Sequence, residues 1–292
     1  MNVAIYGQKV SKANMTDIAQ FLNQIKAFGW TPILEKEFKE SLVRKMNLDK
    51  KTNEFSTHHE LKKGIDLAIS IGGDGTFIKC VNFIRDTQVP IMGINMGRLG
   101  FLANTSREQM PVALEMIQQK KFTFQPRSLI RVETTNDLFG ENNVALNEVT
   151  LQKKDTSSMI TVHASLEGKY LNSYWADGLI VATPTGSTAY NLSCGGPIIT
   201  PGCQVHILTP IAPHNLNVRP MVVPDHMPIK LTVEGRERRF LVSLDGTSKN
   251  MRQGEEIVIK KAEYMIKVVK FEDNNFLDTI RNKMSWGIDK RN

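Results

Sequence analysis

Asp66-Leu67-Ala68-Ile69-Ser70-Ile71-Gly72-Gly73-Asp74-Gly75-Thr76-Phe77-Ile78-Lys79-Cys80-Val81-Asn82-Phe83-Ile84-Arg85 is the stretch from which the fold can be read. Leu67 to Ile71 is apolar and long enough for a buried strand, and residues 77–85 carry the pattern of a buried helix. Between them lies a glycine-rich turn. Strand, glycine turn and helix start together make an anion cradle: glycines let the backbone come close, and the first helical N–H groups point at the ligand. Asp74 does not suit a plain phosphate cradle. A carboxylate is repelled there, so its presence implies a metal ion, a hydroxyl to activate or a sugar to grip. The competing explanation is a tight turn whose glycines only supply positive φ. A carboxylate between two glycines favours function.

Around this unit the first 125 residues alternate strand and helix. Asn2 to Tyr6 and Trp30 to Leu34 read as strands, and Ile18, Phe21, Leu22, Ile25 and Phe28 recur at helical spacing before Gly29. Residues 35–48 form a charged helix, residues 49–60 a polar loop, and Pro90 to Ile94 a further strand. Met110, Leu114 and Ile117 mark one more helix, with Pro111 in its first turn. This pattern predicts a parallel, Rossmann-like α/β sheet. Ligands of such sheets sit beyond the carboxyl ends of the strands, which puts the Asp74 loop and the loop Asn95 to Leu102 at one cleft.

The character changes near Pro126. Ile160, Val162, Ala164 and Leu166, then Ile229, Leu231 and Val233, then Phe240, Val242 and Leu244, then Ile266 and Val268 alternate with period two. Glu167-Gly168, Glu234-Gly235 and Arg252-Gln253-Gly254 supply turns, so this half is expected to be antiparallel β. The expected division is an α/β domain at 1–126 and a β-rich domain at 127–275. A closing helix within 276–292 is expected to return to the first domain.

Composition limits the function. Hydrophobic content is 41% and charged content 23%, ordinary for a globular protein, and no apolar run reaches membrane-spanning length. The start lacks the basic and apolar regions of a secretory signal. The odd number of cysteines, three, without metal spacing, suits a reducing cytoplasm, and no zinc or other protein-held metal site is expected. A net charge of +7 invites anions, but the basic clusters lack interleaved aromatics, so neither nucleic acid nor membrane is expected as a partner.

Two further stretches carry candidate chemistry. Asn147-Glu148 lies in a strand-like segment, and by spacing alone a turn or an exposed strand pair explains it. Residues 176–197 run from Ala176-Asp177-Gly178 through Thr183-Pro184-Thr185-Gly186-Ser187-Thr188-Ala189-Tyr190 to Gly195-Gly196-Pro197. Many small donors and acceptors beside one aromatic suit a nucleoside, with hydroxyls for the base edge and a ring for stacking. Asp177-Gly178 equally suits a hairpin turn. The Asp74 loop itself is neither G-x-G-x-x-G nor a P-loop.

Taken together these residues resemble the NAD kinase family over most of the chain. Gly72 to Thr76 is similar to its GGDGT motif, Asn147-Glu148 to its NE motif, residues 177–197 to its DG…TPTGSTAY…GGP segment, and Asn95 to Leu102 to its G-x-L-G-F-L loop. The resemblance implies an α/β domain followed by a β-rich domain with the site between them. It implies transfer of the terminal phosphoryl group of ATP, another nucleoside triphosphate or polyphosphate to the 2′-hydroxyl of the adenosine ribose of NAD. A divalent cation, usually magnesium, is implied as cofactor, and a homodimer or homotetramer as the assembly. Asp74 is implied as the proton acceptor. Gly72, Gly73, Gly75, Thr76 and Lys79 are implied at the nucleotide, and Asn147 and Glu148 at ribose hydroxyls. Asp177, Thr185, Thr188, Ala189, Tyr190, Asn191, Leu192, Ser193 and Ala212 are implied around the dinucleotide. Two positions depart from the family pattern. Trp175 stands where arginine is common, and Cys194, where alanine is usual, raises thiol sensitivity. GGDG-type loops also occur in diacylglycerol-type lipid kinases, and a non-catalytic NADP-binding regulator is a third reading.

Overall fold

The computed structural model describes residues 1–8, 12–46, 48–62, 64–97, 100–154, 158–272 and 275–284. It contains two compact units, residues 1–126 with 266–292, and residues 127–265.

The first unit is a parallel α/β sheet. Its strands β1 (Asn2–Gly7), β2 (Thr31–Glu35), β3 (Asn53–Phe55), β4 (Leu67–Gly72) and β5 (Ile91–Asn95) pair in the order β3-β2-β1-β4-β5. Helices α1 (Met15–Ala27), α2 (Lys36–Met46), α3 (Asp74–Ile84) and α4 (Met110–Gln118) connect or follow them. α1 forms because Ile18, Phe21, Leu22 and Ile25 share one buried face, and it stops where Gly29 takes φ 70°. Those side chains share a core with Val3, Ile5, Ile69, Ile94 and Leu114. The sheet order reverses between β1 and β4, so the loops leaving these two strands diverge and open a crevice at their carboxyl ends.

Two local expectations change. The loop at 49–60 contains β3 and a 3-10 turn at His58–Leu61. β3 is a three-residue edge strand with polar flanks, which leaves little period-two signal. Ile266–Lys270, placed by its alternation in the second half, pairs in parallel with β5, with Val268 opposite Ile91. The β-rich unit therefore ends at Met265 rather than at residue 275. The C-terminal helix Phe276–Met284 belongs to the first unit, and residues 285–292 of the expected helix lie outside the described residues.

The second unit is antiparallel, as its alternation predicts. Its strands are β6 (Ile130–Thr134), β7 (Val144–Ala145), β8 (Glu148–Lys153), β9 (Ile160–Leu166), β10 (Lys169–Ala176), β11 (Gly178–Ala182), β12 (Val205–Ile211), β13 (Met221–Pro224), β14 (Ile229–Glu234), β15 (Arg239–Leu244), β16 (Thr247–Arg252) and β17 (Ile257–Lys261). They form two six-stranded sheets, β13-β12-β11-β8-β15-β16 and β10-β9-β14-β17-β6-β7. One core takes Val149, Leu151, Leu179, Val181 and Val242 from the first sheet and Val132, Val162, Leu231 and Ile259 from the second. Alternate residues of both sheets thus fill a sandwich. Asp177 is not a hairpin turn: β10 and β11 lie in different sheets, and the chain changes sheet at this residue.

Candidate functional site

The first group of site residues lies at the carboxyl end of β4. A side chain at Gly72 would overlap the Thr76 hydroxyl, and φ there is 157°, so only glycine lets strand turn into helix at this distance. Gly73 caps α3, and Thr76 and Phe77 donate their amides back to its carbonyl at 3.0 and 3.1 Å. The amides of Asp74 and Gly75 precede the first of these bonds, which is the arrangement that receives an anion. Nothing lies within 4 Å of where a Gly73 or Gly75 side chain would stand, so the cradle is open on that side.

Asp74 is braced. Its carboxylate accepts the amides of Phe101 (2.8 Å), Leu102 (3.1 Å) and Ala103 (3.0 Å). Any side chain at Gly100 would collide with it. Asn95 holds the same loop, accepting the Gly97 amide at 2.8 Å. The loop Asn95 to Leu102 thus meets the Asp74 loop as expected; its Arg98 and Leu99 lie outside the described residues. A cavity of about 700 Å³ opens at the carboxyl end of β1, lined among others by Tyr6, Glu35, Arg44, Lys45 and Lys79. Glu35 caps α2 through the amides of Glu37 and Phe38. Burial, with Glu35 nearby, pushes the Tyr6 phenol up to about 12.

The second group lies in the β unit. Asn147 stands just before β8 and Glu148 opens it, and both are held by a residue to which no motif pointed, Asp245. Its carboxylate accepts the amides of Leu146, Asn147 and Glu148 at 2.6, 2.8 and 3.1 Å. The only local signal was Asp245-Gly246 between two alternating runs, a turn dipeptide with φ 45° and 84°. Burial pushes Asp245 up to about 6 against the pull of the three amides. Burial, reinforced by Asp245, pushes Glu148 up to about 8, and one of its oxygens is buried without a hydrogen-bond partner. Both effects favour the protonated form of Glu148, which has an O–H to donate.

The hydroxyl-rich segment closes on the same pair. The Thr183 amide donates to the Asn147 carbonyl at 2.8 Å, the Thr183 hydroxyl to the Leu146 carbonyl at 2.6 Å, and a Gly186 side chain would strike the Asn147 carbonyl. This corrects the expectation that the hydroxyls read a base edge. Thr183, Thr185 and Ser187 are buried, and Ser187 braces Pro184 and Ile199. Asn191 is also internal, donating to Ser187 and Pro197 and accepting the Thr209 hydroxyl at 2.6 Å. A short chain that must turn sharply satisfies its own carbonyls first. What this segment presents outward is Tyr190, 39% exposed, with Ser193 exposed and Thr188, Ala189 and Leu192 half-buried. Gln152 donates to the Tyr190 hydroxyl at 3.0 Å.

Asp177 pairs with Lys153 at 2.6 Å. Ala212, exposed at the end of β12, has φ 45°, a left-handed conformation that is strained for alanine. Trp175 packs on His214 with ring centroids 4.2 Å apart and remains 48% exposed. Burial pushes the Cys194 thiol up, which opposes the expected thiol sensitivity, since the thiolate is the reactive form. Among the described residues no three His, Cys, Asp or Glu side chains gather to hold a metal, and no helix is long and apolar enough to cross a membrane.

An α/β unit with an open anion cradle and, in the same chain, a β-sandwich unit with an exposed aromatic ring and a buried Asn-Glu pair are the equipment of a nucleotide-binding protein suited to phosphoryl chemistry. Comparison with known families makes this specific. Residues 8–122 match the ATP-NAD kinase N-terminal domain and residues 146–271 the ATP-NAD kinase C-terminal domain. The chain is 45% identical to the NAD kinase of Christiangramia forsetii over 294 residues and 43% identical to that of Flavobacterium psychrophilum over 298 residues, covering the whole of all three chains. Among solved structures it is similar to an Archaeoglobus fulgidus NAD kinase in complex with ATP, with TM-score 0.75 and 26% identity over 98% of this chain and 99% of that one. Yeast NADH kinase complexed with NADH shares the fold, with TM-score 0.87 and 21% identity over 99% of this chain and 89% of that one. The chain belongs to the NAD kinase family.

Proposed function

We propose that the protein phosphorylates the 2′-hydroxyl of the adenosine ribose of NAD with ATP, giving NADP. The observation that carries this is Asp74 at the first position of α3, inside an anion cradle yet fastened by three amides. A carboxylate offers about four lone-pair sites, so one stays open towards a hydroxyl proton. Asp74 is the proton acceptor, and Gly72, Gly73, Gly75 and Thr76 shape the cradle for the transferred phosphate. The cavity, lined by Arg44, Lys45 and Lys79 together with the carboxylates Glu35, Glu37 and Glu40, is where we place the donor nucleotide.

In the β unit, Asn147 and protonated Glu148 meet the ribose hydroxyls, Tyr190 stacks, and Asp177, Thr188, Ala189, Leu192, Ser193 and Ala212 frame the dinucleotide. Thr185 and Asn191 act from inside by holding that frame. A divalent cation, magnesium, arrives on the donor phosphates. Asp74, at the first position of α3, is the carboxylate that would face such a metal. When bound it neutralises phosphate charge. We place the enzyme in the cytoplasm as a homodimer or homotetramer.

The test is purified protein with ATP, Mg²⁺ and NAD, reading NADP by a coupled dehydrogenase. Formation of NADP is expected; none under varied divalent metals would sink the proposal. General-base help contributes roughly 10²–10⁴-fold, so Asp74→Asn is expected to lose turnover on that scale with a modest change in NAD affinity.

A further inference from the structure

The C-terminal helix brings one ammonium to the Asp74 loop. Lys283 Nζ lies 4.3 Å from the centroid of the Phe101 ring, and the amide of that same Phe101 donates to Asp74 at 2.8 Å. One residue therefore holds a cation on its ring and an anion on its backbone. The simpler account of Lys283 is a basic residue in the last turn of a helix, where the macrodipole favours it. That account needs only a lysine extended into water. Here the residue is half-buried with its head group over an aromatic face. Burial lowers its proton affinity, and the nearby Asp74 carboxylate offsets this in part. A desolvated ammonium persists where something compensates it.

The site has a need that this arrangement meets. Anionic phosphates entering the cradle repel the Asp74 carboxylate, and the loop 101–103 holds that carboxylate only through three amides. We propose that Lys283 is a positioning residue for phosphoryl transfer, pinning Phe101 so that the loop keeps Asp74 in place while the cradle is filled. This rests on the kinase reading above. Lys283 acts through Phe101 on Asp74, so its loss is expected in turnover rather than in NAD affinity.

The experiment compares wild type, Lys283→Met and Lys283→Arg by steady-state kinetics and by amide hydrogen exchange over residues 100–104. For Lys283→Met, kcat is expected to fall at least about tenfold, since small displacements of reacting groups are costly, with KM for NAD within about threefold. Exchange over residues 100–104 is expected to quicken. Lys283→Arg is expected to restore most of both, because guanidinium also stacks on aromatic faces. Unchanged exchange, unchanged kcat, or faster exchange with full turnover would each overturn the proposal. A wild type that makes no NADP overturns the kinase reading and this inference with it, whereas an active wild type with an equally active Lys283→Met overturns this inference alone.

Discussion

The Asp245 carboxylate accepts the Asn147 amide at 2.8 Å across a sequence separation of 98 residues. With the flanking amides of Leu146 and Glu148 it fixes the corner at which β8 begins. Hydrogen bonds to a charged acceptor contribute roughly 1.5–3 kcal/mol each, and an asparagine side chain would set its NH₂ against one of the three donors. Asp245→Asn is therefore expected to lower kcat/KM for NAD by about 10–100-fold through a raised KM. Kinetics alongside a melting curve check this; a KM equal to wild type in a folded variant would remove Asp245 from the site.

Gly100 faces the other aspartate. Its missing side chain is the space that the Asp74 carboxylate occupies. Gly100→Ala is expected to displace the loop 101–103, costing about 1–3 kcal/mol of stability, as overpacking does, together with most turnover. Urea unfolding and the NADP assay measure the two losses. Gly73→Ala, whose side chain meets nothing within 4 Å, is the steric control for stability.

Stability should fall as pH rises from 4.5 to 8 because of Glu148. Its folded pKa, about 8, lies above its ordinary value of 4.5. Between these values the folded state holds a proton that the unfolded chain has released, so the contribution is complete below pH 4.5 and lost as pH rises through 8. The loss is on the order of a few kcal/mol. Glu148→Gln is expected to flatten that limb of the stability profile relative to wild type, as measured by denaturant unfolding from pH 5 to 9.

An opposite slope comes from His206. It is fully buried in β12, neither ring nitrogen has a hydrogen-bond partner, and it lies in the field of the Asp225–Lys261 pair, itself 2.8 Å apart. Burial lowers its pKa from 6.5 to about 4, opposed by Asp225 and assisted by Lys261. The unfolded chain binds the proton first, so stability is complete above pH 6.5 and lost as pH falls towards 4. His206→Phe is expected to remove this acid-side loss in the difference curve against wild type. An unchanged acid limb would show that other groups set it.

Much of the first group of site residues was legible because its information is local. A strand period, two glycines, Asp74 and a helix period stand side by side from Leu67 to Ile84, and each local preference agrees with the fold. The direction of a hydroxyl is not local. Thr183 and Ser187 suggested ligand contacts, yet they brace their own turn, because folding sets backbone carbonyls within 2.6–2.7 Å of both hydroxyls. Likewise the alternation of Ile266–Lys270 is identical whichever sheet receives it, and only pairing with β5 decides.

By itself the sequence determined the α/β and antiparallel halves, the cradle at Gly72 to Thr76 and the family, since periodicity and motif spelling are properties of neighbouring residues. Tertiary structure alone decided which groups meet at Asn147 and at Asp74. Asp245 reaches Asn147, the loop at Phe101 closes on Asp74, and Lys283 comes to the Phe101 ring from the far end of the chain. The reason is physical. A carboxylate or ammonium is held by whatever donors or rings folding brings within about 3–6 Å, and no spacing in the chain records that distance.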